Sequence, residues 1–216
     1  EIGKKNTKFY SQYLADAEEK ANKWSKAHPK ANSAPRVSPE GRYHNGWSEY
    51  QYSQWFISND TLTEYSCFPF GLGKYNCYHK ERYPEQIWEI ASDTMTVCGQ
   101  LCQKAVCRFR GRDYTAWFTL NIPIPYGPWK FGGLPGVILK ISDKDNLYSF
   151  ECVRISTQKK PLLKDEYSRY NEMERRKLLK LQRGINEDYG NYIKLTNTKT
   201  GEPVRIFSEY EPIELE

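Results

Sequence analysis

A chain of 216 residues is long enough for one domain that buries about 70% of its unfolded surface, and cramped for two. Its net charge of +5 arises from 32 basic and 27 acidic residues, a balance that excludes the electrostatic footprint of a nucleic-acid binder. Apolar residues make up only 38% while 17 tyrosines and 6 tryptophans are present, so the core must use large amphipathic rings, which suit half-wet sheets and binding grooves.

Residues 7 to 27, rich in Ala, Glu and Lys, are expected to form a helix that ends at His28-Pro29. Residues 28 to 48, with Pro29, Pro35 and Pro39, are a surface loop. Eight short aromatic or β-branched runs follow, at 49–58, 61–68, 85–91, 94–98, 101–109, 113–122, 136–143 and 146–156, separated by turn residues. Arg110-Gly111-Arg112 and Asp143 to Asn146 are the hairpin loops of an antiparallel meander. Helical spacing returns over 162–182, with Leu163, Tyr167, Tyr170, Leu178 and Leu181 near one face and Gly184 as the stop. The basic runs Lys159-Lys160 and Arg175-Arg176-Lys177 are assigned to solvated surface, and no apolar run reaches transmembrane length. The fold class is therefore α+β, mostly β, in one domain spanning 1–216: a curved antiparallel sheet or half-barrel of the lipoprotein-carrier kind, with both helices packed against it.

Six cysteines without a Cys-x-x-Cys pair point to disulfides in an oxidising compartment. Cys67 with Cys77 flank a turn segment, Cys107 with Cys152 lie in strand-like runs, and Cys98 with Cys102 remain, a pairing that needs a bend at Gly99. All six are expected to be oxidised. The chain starts at Glu1 without an initiator methionine and is read as a processed or trimmed form.

GPWKFGGLPGVILKI, residues 127 to 141, poses the question of a phosphate-binding loop. It lacks a Gly-Lys-Ser/Thr ending, its lysine Lys130 precedes Gly132-Gly133, and the chain continues into an apolar strand rather than a helix. Turn chemistry accounts for it, with Pro135 fixing a corner and Gly136 taking a positive φ.

Residues 102 to 141 closely resemble the signature of the GLPGLI family, exported proteins of Bacteroidetes, whose motif stands here as Gly133-Leu134-Pro135-Gly136-Val137-Ile138 with valine for the usual leucine at 137. Gly111-Arg112, Ala116-Trp117-Phe118-Thr119, Ile122-Pro123, Gly127-Pro128, the opening IGKKNTKFYS and the closing PIELE extend the match. The resemblance implies an envelope location, periplasmic or outer-membrane-associated, a signal peptide, and a first strand ahead of the segment matching Glu1. It brings no activity that can be carried to a residue.

No catalytic constellation, metal set or cofactor motif is present. His28, His44 and His79 lie in loop-like sequence, and Asp113, Asp143 and Asp145 sit where Asp stabilises turns. The expectation is a non-enzymatic module that binds a hydrophobic ligand, lipid or peptide, through Trp117, Tyr126, Trp129 and Phe131, with Phe118 nearby. The alternative is an envelope protein that docks on an outer-membrane partner.

Overall fold

The structure, a computed structural model, describes residues 1–3, 6–31, 52–68, 71–158, 167, 170–207 and 210–216. Its strands fall into two five-stranded sheets. The first contains β1 (Asn6–Phe9), β2 (Gln54–Ser58), β3 (Thr61–Ser66), β4 (Cys77–Arg82) and β10 (Asn171–Glu172), in the order β1-β2-β3-β4-β10. All its pairings are antiparallel except that β10 runs parallel to β4. The second sheet is an antiparallel meander of β5 (Glu89–Val97), β6 (Gln100–Phe109), β7 (Arg112–Thr119), β8 (Val137–Asp143) and β9 (Ser149–Glu151). The chain is mostly β with few helices, and neither sheet closes into a barrel.

Turn chemistry sets the register. Three hairpins turn on residue pairs that both have positive φ, Asn59-Asp60, Cys98-Gly99 and Arg110-Gly111, the backbone of a two-residue type I′ loop. The expected separate strands at 85–91 and 94–98 are one strand, β5, which crosses a register shift between Ile90 and Thr94. A bulge relaxes local pairing without ending the strand.

The main core lies between the sheets. Trp55, Ile57 and Leu62 from the first meet Ala105, Phe109, Tyr114, Ala116, Phe118, Ile138 and Ile141 from the second. The β7–β8 connection adds Trp129, Phe131 and Leu134 to the same cluster. One wall from each of two sheets, rather than one sheet curling on itself, follows from the break in pairing between β4 and β5.

The helices differ from expectation at their ends. Residues 6–9 are a strand, and α1 (Gln12–Ala27) begins only after Ser11, whose hydroxyl accepts from Leu14 N at 3.4 Å. Among its described side chains only Ala17 is buried, so α1 is mostly solvated rather than packed. The late helix, α2 (Arg175–Glu187), starts well after residue 162, and most of 159–169 lies outside the described residues, as do 32–51 with His44 and most of the 28–48 loop. Leu178 and Ile185 place one face of α2 on Phe68, Leu72 and Cys77 at the end of the first sheet. Gly184 does not stop α2. A Cβ there would stand 2.2 Å from the Tyr192 hydroxyl of α3 (Tyr189–Ile193), so glycine admits the following helix.

The connection 120–136 is a small structure of its own. Gly127 N donates to Phe131 O, Gly133 N to Pro125 O, Val137 N to Ile122 O and Ile138 N to Tyr126 O. Its positive φ values belong to Trp129 and Gly133, not to Gly136. Gly136 is required for a different reason: a Cβ would lie 2.0 Å from the carbonyl oxygen of Thr119 on β7. Gly136→Ala is therefore expected to cost about 1–3 kcal/mol by overpacking. Unchanged thermal melting would show that the β7 backbone yields freely.

Candidate functional site

The four aromatic residues expected to line a groove are not brought together in one. Trp129 and Phe131 are 1% and 0% exposed, and their rings meet at 5.2 Å and 63° inside the inter-sheet core. Phe131 also packs edge-on to Tyr114 at 4.7 Å. Tyr126 is half-buried at the margin of that core. Trp117 packs in a separate cluster with Met95, Val97, Cys102 and Leu139.

Lys130, between those two rings, is 1% exposed and faces carboxylates. Its Nζ lies 3.0 Å from Glu64 Oε2 on β3 and is hydrogen-bonded to Glu214. Glu64 also accepts from Ser66 at 3.0 Å and from Gln182 of α2 at 3.1 Å, while Glu214 binds Arg175 of α2 and stands 3.5 Å from Arg110 Nε. Burial alone would drive the lysine to shed its proton, but Glu214 and Glu64 outweigh that and hold its pKa above the ordinary range. A lysine so committed is neither a nucleophile nor an anion trap. Arg175, expected on a solvated face, is drawn in by the same carboxylate.

Glu81 extends this charged layer. Burial would raise its pKa, yet His79 and a bidentate Arg110, 2.7 Å from each carboxylate oxygen, bring it down to about 2. Arg112 is 6% exposed and donates to the carbonyls of Ile213 and Pro212 and to Glu211 and Asp143, tying residues 211–214 to the second sheet. These residues form a structural lock between the sheets, α2 and segment 211–216.

Asp143 belongs to that lock and also accepts from Tyr148 N across its turn; Asp113 is exposed and pairs with Arg108. His28 stacks on Trp24 at 4.3 Å, and His79 Nδ1 donates to the Met173 carbonyl, 3.2 Å away. Among the described residues, no group of three or more His, Cys, Asp or Glu side chains could hold a metal ion.

The apolar cavity of interest lies on the other side of the signature segment. A groove of about 830 Å³ runs between β1, the edge of the first sheet, and β8 and β9 of the second. Phe9, Ile122, Ile124, Ile138, Leu139 and Phe150 give it an apolar lining, and Lys8, Arg154, Glu1 and Glu151 supply charges of both signs. Segment 152–158, exposed except at Cys152, contributes Ile155 and Thr157 to one wall. That volume is within the range of small-molecule pockets. In the sequence, Ile122-Pro123-Ile124-Pro125 is the signal that could have found it: proline holds the chain extended, and the isoleucines stay half-buried.

The cysteines are also redistributed. Cys107 sits in the inter-sheet core, whereas Cys152 lies with Cys98 and Cys102 against the separate Trp117 cluster. The expected Cys107–Cys152 pair is thus split between two cores. Cys67 directly follows β3 and Cys77 opens β4 opposite Ser66.

Comparison with known proteins falls on the same signature. Residues 107–140 match the model of a family described as a protein of unknown function (Porph_ging). That match spans β7 and the complete β7–β8 connection, which includes Arg112, Trp129 and Lys130. No curated protein matches the chain. Two structures of PNGF-II, in P21 and C2 crystal forms, align with TM-scores of 0.42 at 15% and 14% identity. Each alignment covers 62% of this chain and 25% of the PNGF-II chain, so the chain spans about a quarter of that protein's length. No helix among the described residues is long and apolar enough to cross a membrane.

Proposed function

We propose that the chain is a non-enzymatic binding module that takes a hydrophobic ligand, lipid or peptide, into the groove between β1, β8 and β9. The observation that carries this reading is the groove itself: about 830 Å³, apolar on its floor and charged at its margin. Such a site gains its free energy by removing apolar surface from water, while margin charges orient a polar end. The resemblance to GLPGLI proteins adds an exported cell-envelope setting, in the periplasm or at the outer membrane. The buried lock at Lys130 holds the two sheets apart at a fixed spacing and so supports the groove without lining it.

The test uses the intact chain and the apolar dye anilinonaphthalene sulfonate. Saturable fluorescence enhancement is expected, and Ile124→Glu should weaken it about tenfold or more, because a carboxylate in the lining must be desolvated. Displacement by oleate or by an extended apolar peptide then sorts lipid from peptide. Absence of saturable binding, or binding indifferent to Ile124→Glu in a variant with unchanged circular dichroism, removes the groove as the site.

A further inference from the structure

We propose that Cys98 and Cys152 are a cystine-forming pair that ties the β5–β6 turn to segment 152–158, and that Cys102 and Cys107 remain thiols. Cys98 is the first residue of its two-residue turn, with φ of 49°, and Gly99 follows at 73°. Both Cys98 and Cys152 are half-buried against the cluster of Val97, Cys102, Val137 and Leu139. The backbone places Cys152 beside β8, its N–H donating to Leu139 O at 2.7 Å. There it packs with Cys98 against the same apolar cluster.

Cys102 is the near competitor and loses on access. It is 1% exposed, and its S–H turns back to the Gln100 carbonyl on its own strand at 3.5 Å. Cys107 lies farther along β6 in the other core cluster. Five positions along an extended strand are roughly 16 Å, well beyond the Cα separation that a disulfide spans. Cys102 and Cys107 therefore cannot pair with each other.

Oxidation proceeds by thiol–disulfide exchange with a small-molecule or protein disulfide. The Cys98 thiolate attacks one sulfur of the oxidant, whose S–S bond breaks and releases one thiol. Cys152, as thiolate, then attacks the Cys98 sulfur of the mixed disulfide and releases the second. Two protons and two electrons leave the protein, and the oxidant departs as two thiols. Burial, with the contact to Cys98, keeps the Cys152 thiol above its ordinary pKa, so closure quickens as pH rises.

The full chain is treated with oxidised glutathione, blocked with iodoacetamide in denaturant, digested and mapped by mass spectrometry. The expected product is a linked peptide pair joining Cys98 to Cys152, with Cys102 and Cys107 alkylated. Cys102→Ser should keep the link and Cys98→Ser should abolish it. A bond from Cys102 or Cys107 to Cys152, a Cys98–Cys102 bond, or alkylation of both Cys98 and Cys152 overturns the proposal.

Discussion

Lys130→Met is expected to destabilise the protein by about 3–5 kcal/mol, the range for removing one partner of a buried ion pair. Methionine keeps most of the lysine's volume, so packing against Trp129 and Phe131 survives and the loss is electrostatic. Glu64 and Glu214, 5% and 6% exposed, would then face each other without the ammonium between them. Arg175 still reaches Glu214, but among the described residues Glu64 keeps only the neutral donors Ser66 and Gln182. Urea unfolding followed by tryptophan fluorescence measures the effect, and adding Glu64→Gln should recover part of it, since the stranded charge is then gone. A midpoint unchanged by Lys130→Met would mean that water already compensates these carboxylates.

Trp129→Ala is expected to cost a similar 3–5 kcal/mol through the cavity left in the inter-sheet core. Its indole packs against Phe109 at 6.0 Å and Phe131 at 5.2 Å, and it sits in the left-handed backbone region, with φ of 53°, which alanine tolerates no better. Calorimetry should show the lowered transition. The ligand readout separates core from groove: at temperatures where the variant is folded, dye affinity should stay within about twofold of the parent, because this ring does not line the groove. A large loss of dye binding in a folded Trp129→Ala protein would return the site to the aromatic cluster.

The meander is legible because its signals are local, β-branched and aromatic runs broken by two-residue turns; of the late helix only the part with Leu178 and Leu181 is, since Tyr167 and Tyr170 of the expected stripe are not helical and Gly184 does not end it. What local signals do not carry is which sheet a strand joins. Thr61–Ser66 reads like the strands that follow it, yet it lies in the other sheet between β2 and β4, and Cys77–Arg82, which its charged residues disguise as loop, is the strand that pairs with it and with β10. The rings at 129 and 131, expected as lining, stand in the inter-sheet core, since bulk and aromaticity are the same in a core and in a pocket. Glu64 and Glu214 carry no motif that marks them as partners of Lys130. For Glu64 the available hint is a lone carboxylate in the strand pattern TLTEYS, on the same side of the alternation as Leu62, where a charge demands a buried cation; PIELE, with two glutamates and no strand alternation, offers no such hint for Glu214.

The lock at Lys130 also sets the order in which the protein can assemble. Its second carboxylate comes from a residue 84 positions later, the Gln182 donor to Glu64 from 118 positions away, and the Ile213 carbonyl reaches Arg112 over 101. A chain emerging from the ribosome can zip β5, β6 and β7 by two-residue hairpins and add β8 across the 120–136 connection, but the ammonium in that connection stays half-neutralised until residue 214 arrives. Loop-closure entropy must be met before these distant contacts reward it, so the final consolidation of the two sheets is the slow, non-local step. Before it, the inter-sheet rings are exposed around an unmatched charge, and this interval is where a folding helper would be needed most.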